Sequence, residues 1–139
     1  SHLGKSHPQV VSTLHNIANV HHQQGNLTLA LSVFGKAKSL LASNQDKDSM
    51  LVARICTAIG HVYYQAQQWI DSKDAYQDAF NILLQESSSS TNSTQAENKE
   101  LQREVYELQR DIQELNTKIS ASVASFASSS HVSNRQALY

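Results

Sequence analysis

Leu14-His15-Asn16-Ile17-Ala18-Asn19-Val20-His21-His22-Gln23-Gln24-Gly25-Asn26-Leu27 is followed 42 residues later by Cys56-Thr57-Ala58-Ile59-Gly60-His61-Val62-Tyr63-Tyr64-Gln65-Ala66-Gln67-Gln68-Trp69. The correspondence continues: Ala30, Phe34 and Ala37 in the first copy align with Ser72, Tyr76 and Ala79 in the second. Both copies place an apolar residue, a large-then-small pair, a ring, a turn residue and a second large apolar residue at the same intervals. Self-similarity with a period of this size marks supersecondary units that stack to bury a shared core.

Each copy reads as two helices. Val10, Leu14, Ile17, Ala18 and His21 recur at three- and four-residue steps, which predicts an amphipathic helix from about residue 8, with Pro8 where a missing N–H costs nothing. Gly25-Asn26 stops it, and Asn26 can cap a second helix to about Leu41, with Leu27, Ala30, Leu31, Phe34, Ala37 and Leu41 inward. After a polar connector over 42–48, a third helix begins near Ser49 with Val52, Ile55, Cys56, Ile59, Gly60 and Tyr63 on one face. A fourth, from about Trp69 to Gln85, carries Trp69, Tyr76, Ala79, Phe80 and Leu83 inward. Ala18 and Gly60 share a repeat position because closely crossing helices need a small residue at their contact.

These residues resemble tetratricopeptide repeats over roughly residues 3 to 85. The 42-residue spacing, with Leu3-Gly4-Lys5-Ser6-His7-Pro8-Gln9-Val10 and Leu14-His15-Asn16-Ile17-Ala18, looks like the variant of kinesin light chains and related eukaryotic scaffolds. Repeat two departs from the pattern with Lys47-Asp48-Ser49-Met50 at its start and Gln67 where a turn glycine is usual. The resemblance implies an all-α fold of tandem helical hairpins, an α-solenoid, and a protein-binding role for its concave face.

Composition changes at Ser87-Ser88-Ser89-Ser90-Thr91-Asn92-Ser93-Thr94, so 87–95 reads as a flexible linker. A heptad helix is expected over 96–127. Leu101, Val105, Leu108, Ile112, Leu115 and Ile119 form a two-in-seven stripe that suits a coiled-coil seam, and β-branched residues alternating with leucine favour a parallel dimer. The alternative is that this helix caps the last repeat of its own chain. The tail, 128–139, reads as disordered.

Net charge is -1, running from about +2 over 1–48 through -2 over 49–86 to -1 beyond, which offers no basic patch for nucleic acid. No apolar run approaches the roughly 20 residues of a membrane span, and no signal peptide is evident, so a cytoplasmic setting is the default. The single cysteine, Cys56, lies on an apolar face and reads as core. With no phosphate loop, nucleophile elbow or paired carboxylates, no enzymatic activity and no cofactor are expected.

In stacked hairpins the first helices line the concave surface. Off their packing stripes lie Ser12, His15, Asn19, His22 and Gln23 in repeat one and Arg54, Thr57, His61, Tyr64 and Gln65 in repeat two. Amides there can bond an extended peptide backbone, and Arg54 can hold a carboxylate. His15 and His22 lie about 10 Å apart along one helix, too far to share a metal ion, so no metal is assigned. The histidines His15, His22 and His61 would instead make the groove's charge depend on pH near 6.5. A protein or peptide partner and a possible homodimer through the heptad helix are expected. Two other readings stand beside this one: a coiled-coil assembly component with the repeats as spacer, and a non-catalytic docking module of a larger enzyme.

Overall fold

The computed structural model describes residues 8–42, 49–89 and 94–137, in five helices: α1 (Pro8–Gln23), α2 (Leu27–Ala42), α3 (Ser49–Gln65), α4 (Trp69–Ser89) and α5 (Gln95–Ala137). Among the described residues there is no strand. The Leu3–His7 part of the opening phrase and most of the connector at 42–48 lie outside them. α1 pairs with α2 and α3 with α4, the two hairpins stack through α2 and α3, and α5 lies on α4.

Both hairpin turns use one geometry. In the first, Asn26 N–H donates to His21 O (2.8 Å) and Gly25 N–H to His22 O (3.1 Å). In the second, Gln68 N–H donates to Tyr63 O (2.9 Å) and Gln67 N–H to Tyr64 O (3.0 Å). This paired closure requires a left-handed residue after the helix. Gly25 supplies it at φ 83°, and Gln67 is held there at φ 62° despite its Cβ. Asn26 starts α2 through its carbonyl, which accepts from Ala30 N–H, while its side chain donates to Gln24 Oε1.

The first core cluster joins Val11 and Ala18 of α1, Ala30, Phe34, Ala37 and Leu41 of α2, and Ile55 and Val62 of α3. The second joins Ala53 and Cys56 of α3, Tyr76, Ala79 and Leu83 of α4, and Leu101, Leu108, Ile112 and Leu115 of α5. Val52 packs against both. Gly60 sets the approach of α3 to α4. A Cβ there would stand 2.5 Å from the Tyr76 ring, and Ser72 Oγ donates to Gly60 O at 2.8 Å across the same contact. Any side chain at residue 60 must push α4 away, at about 1–3 kcal/mol.

The structure corrects the expected face of α1. Val10 and Ile17 are exposed, and Val11 takes the core position beside Ala18. Their repeat-two counterparts Val52 and Ile59 pack against the first cluster because α2 covers them. Among the described residues no helix covers α1 in that way.

The region after α4 is also corrected. α4 continues to Ser89, with Ser88 Oγ donating to Leu84 O at 3.1 Å, so the serine run begins as helix. α5 starts with a capping box: Glu97 N–H donates to Thr94 Oγ1 (3.2 Å) and Thr94 N–H to Glu97 Oε2 (3.3 Å). Of the expected linker 87–95, residues 90–93 lie outside the described residues. The helix then runs to Ala137, through most of the tail expected to be disordered.

The largest correction concerns the heptad stripe. Leu101, Leu108, Ile112 and Leu115 are buried against α3 and α4, and Val105 packs beside them half-buried. Ile119, also half-buried, lies near Trp69 and Ile70. The residues expected to form a dimer seam are core residues of their own chain. The stripe is narrow enough for a partner helix, but α4 offers Tyr76, Ala79 and Leu83 at no cost in association entropy. Glu86 lies near Glu97 and Leu101, and Trp69 near Ile119 and Val123, so α5 runs antiparallel to α4. From Ser120 to Ala127 it is exposed.

Candidate functional site

A groove of about 430 Å³ opens where α1, α3 and α5 meet. α1 contributes His15 and Asn19, α3 contributes Arg54, Thr57 and His61, and the floor is Ala58, Leu83 and Leu108. Helical spacing explains the set: 15 and 19, and 54, 57, 58 and 61, are one-turn steps along single faces. Five of the ten residues expected on the concave surface are thus brought together. Ser12, His22, Gln23, Tyr64 and Gln65 do not line this groove. Gln23 is exposed at the end of α1, and His22 is half-buried. Tyr64 turns to α5 instead, where its hydroxyl donates to Glu114 Oε1 at 2.9 Å and its ring meets Trp69 edge-on at 5.2 Å.

The third wall is α5, whose place at this surface no sequence signal specifies. α5 presents Glu104, Glu107 and Asp111 to the groove, because they flank the stripe that docks on α4. Their spacing was legible as one face of a helix, but nothing in the sequence placed that face opposite Arg54. Two turns beyond Asp111, Lys118 Nζ sits 5.7 Å from the Tyr64 ring centre and 5.1 Å from that of Trp69. Here α5 seats a cation against aromatic faces.

Electrostatics within the groove are set by burial. His15 packs on Phe34 at 5.6 Å, and desolvation, assisted by the Arg54 charge, lowers its pKa. Desolvation also lowers that of His61, against the pull of Asp111. Burial raises the Tyr76 hydroxyl far above its ordinary range, reinforced by Asp111. Tyr76 therefore keeps its proton, and its hydroxyl and His61 Nδ1 share a hydrogen bond of 2.6 Å whose direction follows the imidazole tautomer. Asp111 is pushed up, mainly by its own burial, with Arg110 and His61 opposing.

Among the described residues no group of three His, Cys, Asp or Glu side chains could hold a metal ion. Cys56 is buried, and burial raises its thiol pKa, so it is unsuited to act as a nucleophile. No helix among the described residues is long and apolar enough to cross a membrane.

Compared with known families, residues 9–85 match the tetratricopeptide repeat, a span that covers both hairpins and stops before α5. No curated protein matches the chain.

Proposed function

The chain belongs to the tetratricopeptide repeat family, and from that premise we propose that it is an adaptor whose concave groove takes a peptide segment of a protein partner. Repeats of this family generally mediate protein–protein interaction and are typically non-catalytic. The observation that carries the finer reading is the convergence of His15, Asn19, Arg54, Thr57 and His61 on one groove with an apolar floor. Asn19 offers an amide donor and acceptor to a peptide backbone, and the floor accepts an apolar side chain. The 42-residue spacing, which resembles that of kinesin light chains, supports an adaptor role, and a cytoplasmic site of action accords with it. The test is selection of a displayed random peptide library on the intact chain. Selected peptides should lose most of their affinity for Asn19→Ala/Thr57→Ala, and binding unchanged by that pair would refute the groove.

A second reading, pairing through α5, is favoured by Val123 and Phe126, which are 61% and 76% exposed on its projecting part. Light scattering on Val123→Lys/Phe126→Lys tests it: a dimeric parent should become monomeric, and a monomeric parent would end the proposal.

A further inference from the structure

Resting on the reading of this face as a peptide groove, we infer that the segment it takes is basic, with lysine or arginine side chains reaching Glu104, Glu107 and Asp111 of α5. Charge complementarity on a formed groove favours such a segment. Its lining holds one arginine, Arg54, against those three carboxylates. The two histidines in it, His15 and His61, have pKa values below the ordinary 6.5 and are neutral at pH 7. The lining is therefore net negative, the reverse of the carboxylate-binding role that Arg54 would have on the repeats alone.

Compensation from within the chain is slight. Arg110 lies 3.9 Å from Asp111 with its side chain 65% exposed, a geometry that contributes little. Among the described residues Arg54 forms no ion pair with Glu104, Glu107 or Asp111. The Asp111 pKa is raised mainly by its own burial, against Arg110 and His61, with Glu114 and Glu107 adding to the rise.

The groove also suits the rest of such a side chain. Ala58, Leu83 and Leu108 form an apolar floor on which a lysine or arginine stem can lie while its head reaches the acidic wall. Further along the same helix, Lys118 sets its ammonium over the Tyr64 and Trp69 rings, and Glu114 accepts from the Tyr64 hydroxyl.

Fluorescence anisotropy tests the inference with three labelled peptides of equal length and identical apolar residues, whose polar positions are all lysine, all glutamate or all glutamine. The lysine peptide should bind tightest. Glu104→Gln/Glu107→Gln/Asp111→Asn should weaken it by about tenfold or more. Asp71→Asn/Asp74→Asn/Asp78→Asn, which neutralises the acidic side of α4 in a separate groove beside α2 and α3, should change it by about twofold at most. If the glutamate peptide binds tightest and Arg54→Ala abolishes its binding, the polarity is wrong and the groove reading survives. Equal losses in the two triple variants would make the binding a general polyelectrolyte effect and overturn the inference. If no peptide binds, the groove reading falls and the inference falls with it.

Discussion

Gln67 and Gly25 occupy the same turn position, yet only one of them suits it. Both close a helix with the same pair of backbone hydrogen bonds, and both have positive φ, 62° and 83°. An L residue with a side chain loses roughly 1–2 kcal/mol in that region, part of which glycine returns as unfolded-state entropy. Gln67→Gly should therefore raise stability by about 0.5–1 kcal/mol in urea denaturation, and Gly25→Ala should lower it by about 1 kcal/mol. A second residue-scale consequence concerns pH. His61 and His15 have lowered pKa values in the folded chain, so the unfolded chain binds more protons as pH drops. Their contribution is fully present above about pH 6.5 and is lost as pH falls through the folded values. Melting temperature should decline between about pH 7.5 and 5.5. His61→Gln, which can still hydrogen-bond Tyr76, should flatten that decline.

At the scale of elements, α5 changes the energetics most. Leu115 is fully buried in the cluster it shares with α3 and α4. Leu115→Ala should cost about 2–5 kcal/mol. Because the contact is within one chain, the loss should be the same at every protein concentration, whereas a dimer seam would make the denaturation midpoint depend on concentration. Which of these roles the stripe serves was not legible in the sequence. Leu101, Val105, Leu108, Ile112, Leu115 and Ile119 satisfy a partner helix and the α3–α4 surface equally well, since both want apolar side chains at 3.5-residue spacing. The start of α5 was legible: Thr94 and Glu97 have capping-box spacing, obscured by the serine-rich composition around them. The end of α5 at Ala137 had no such marker.

For the whole molecule, the two clusters meet at Val52, so repeat one and the α3–α4–α5 unit should unfold together. Trp69 is the single tryptophan and reports the second unit, while far-UV circular dichroism reports every helix. Coincident midpoints from the two probes are expected, and separated ones would show that Val52 does not couple the hairpins. The repeat by itself determined the four hairpin helices, their turns and the small residue at each crossing, because periodicity and turn chemistry are local properties of the chain. It also determined that His15, Asn19, Arg54, Thr57 and His61 share a side, since helical spacing fixes which residues are neighbours. Only the tertiary structure decided that Val10 and Ile17 lie outside the core and that α5 lies on α4, which set Glu104, Glu107 and Asp111 opposite Arg54. The physical reason is that an apolar stripe states a need for burial and not the surface that meets it, and the charge of a groove depends on which surface does.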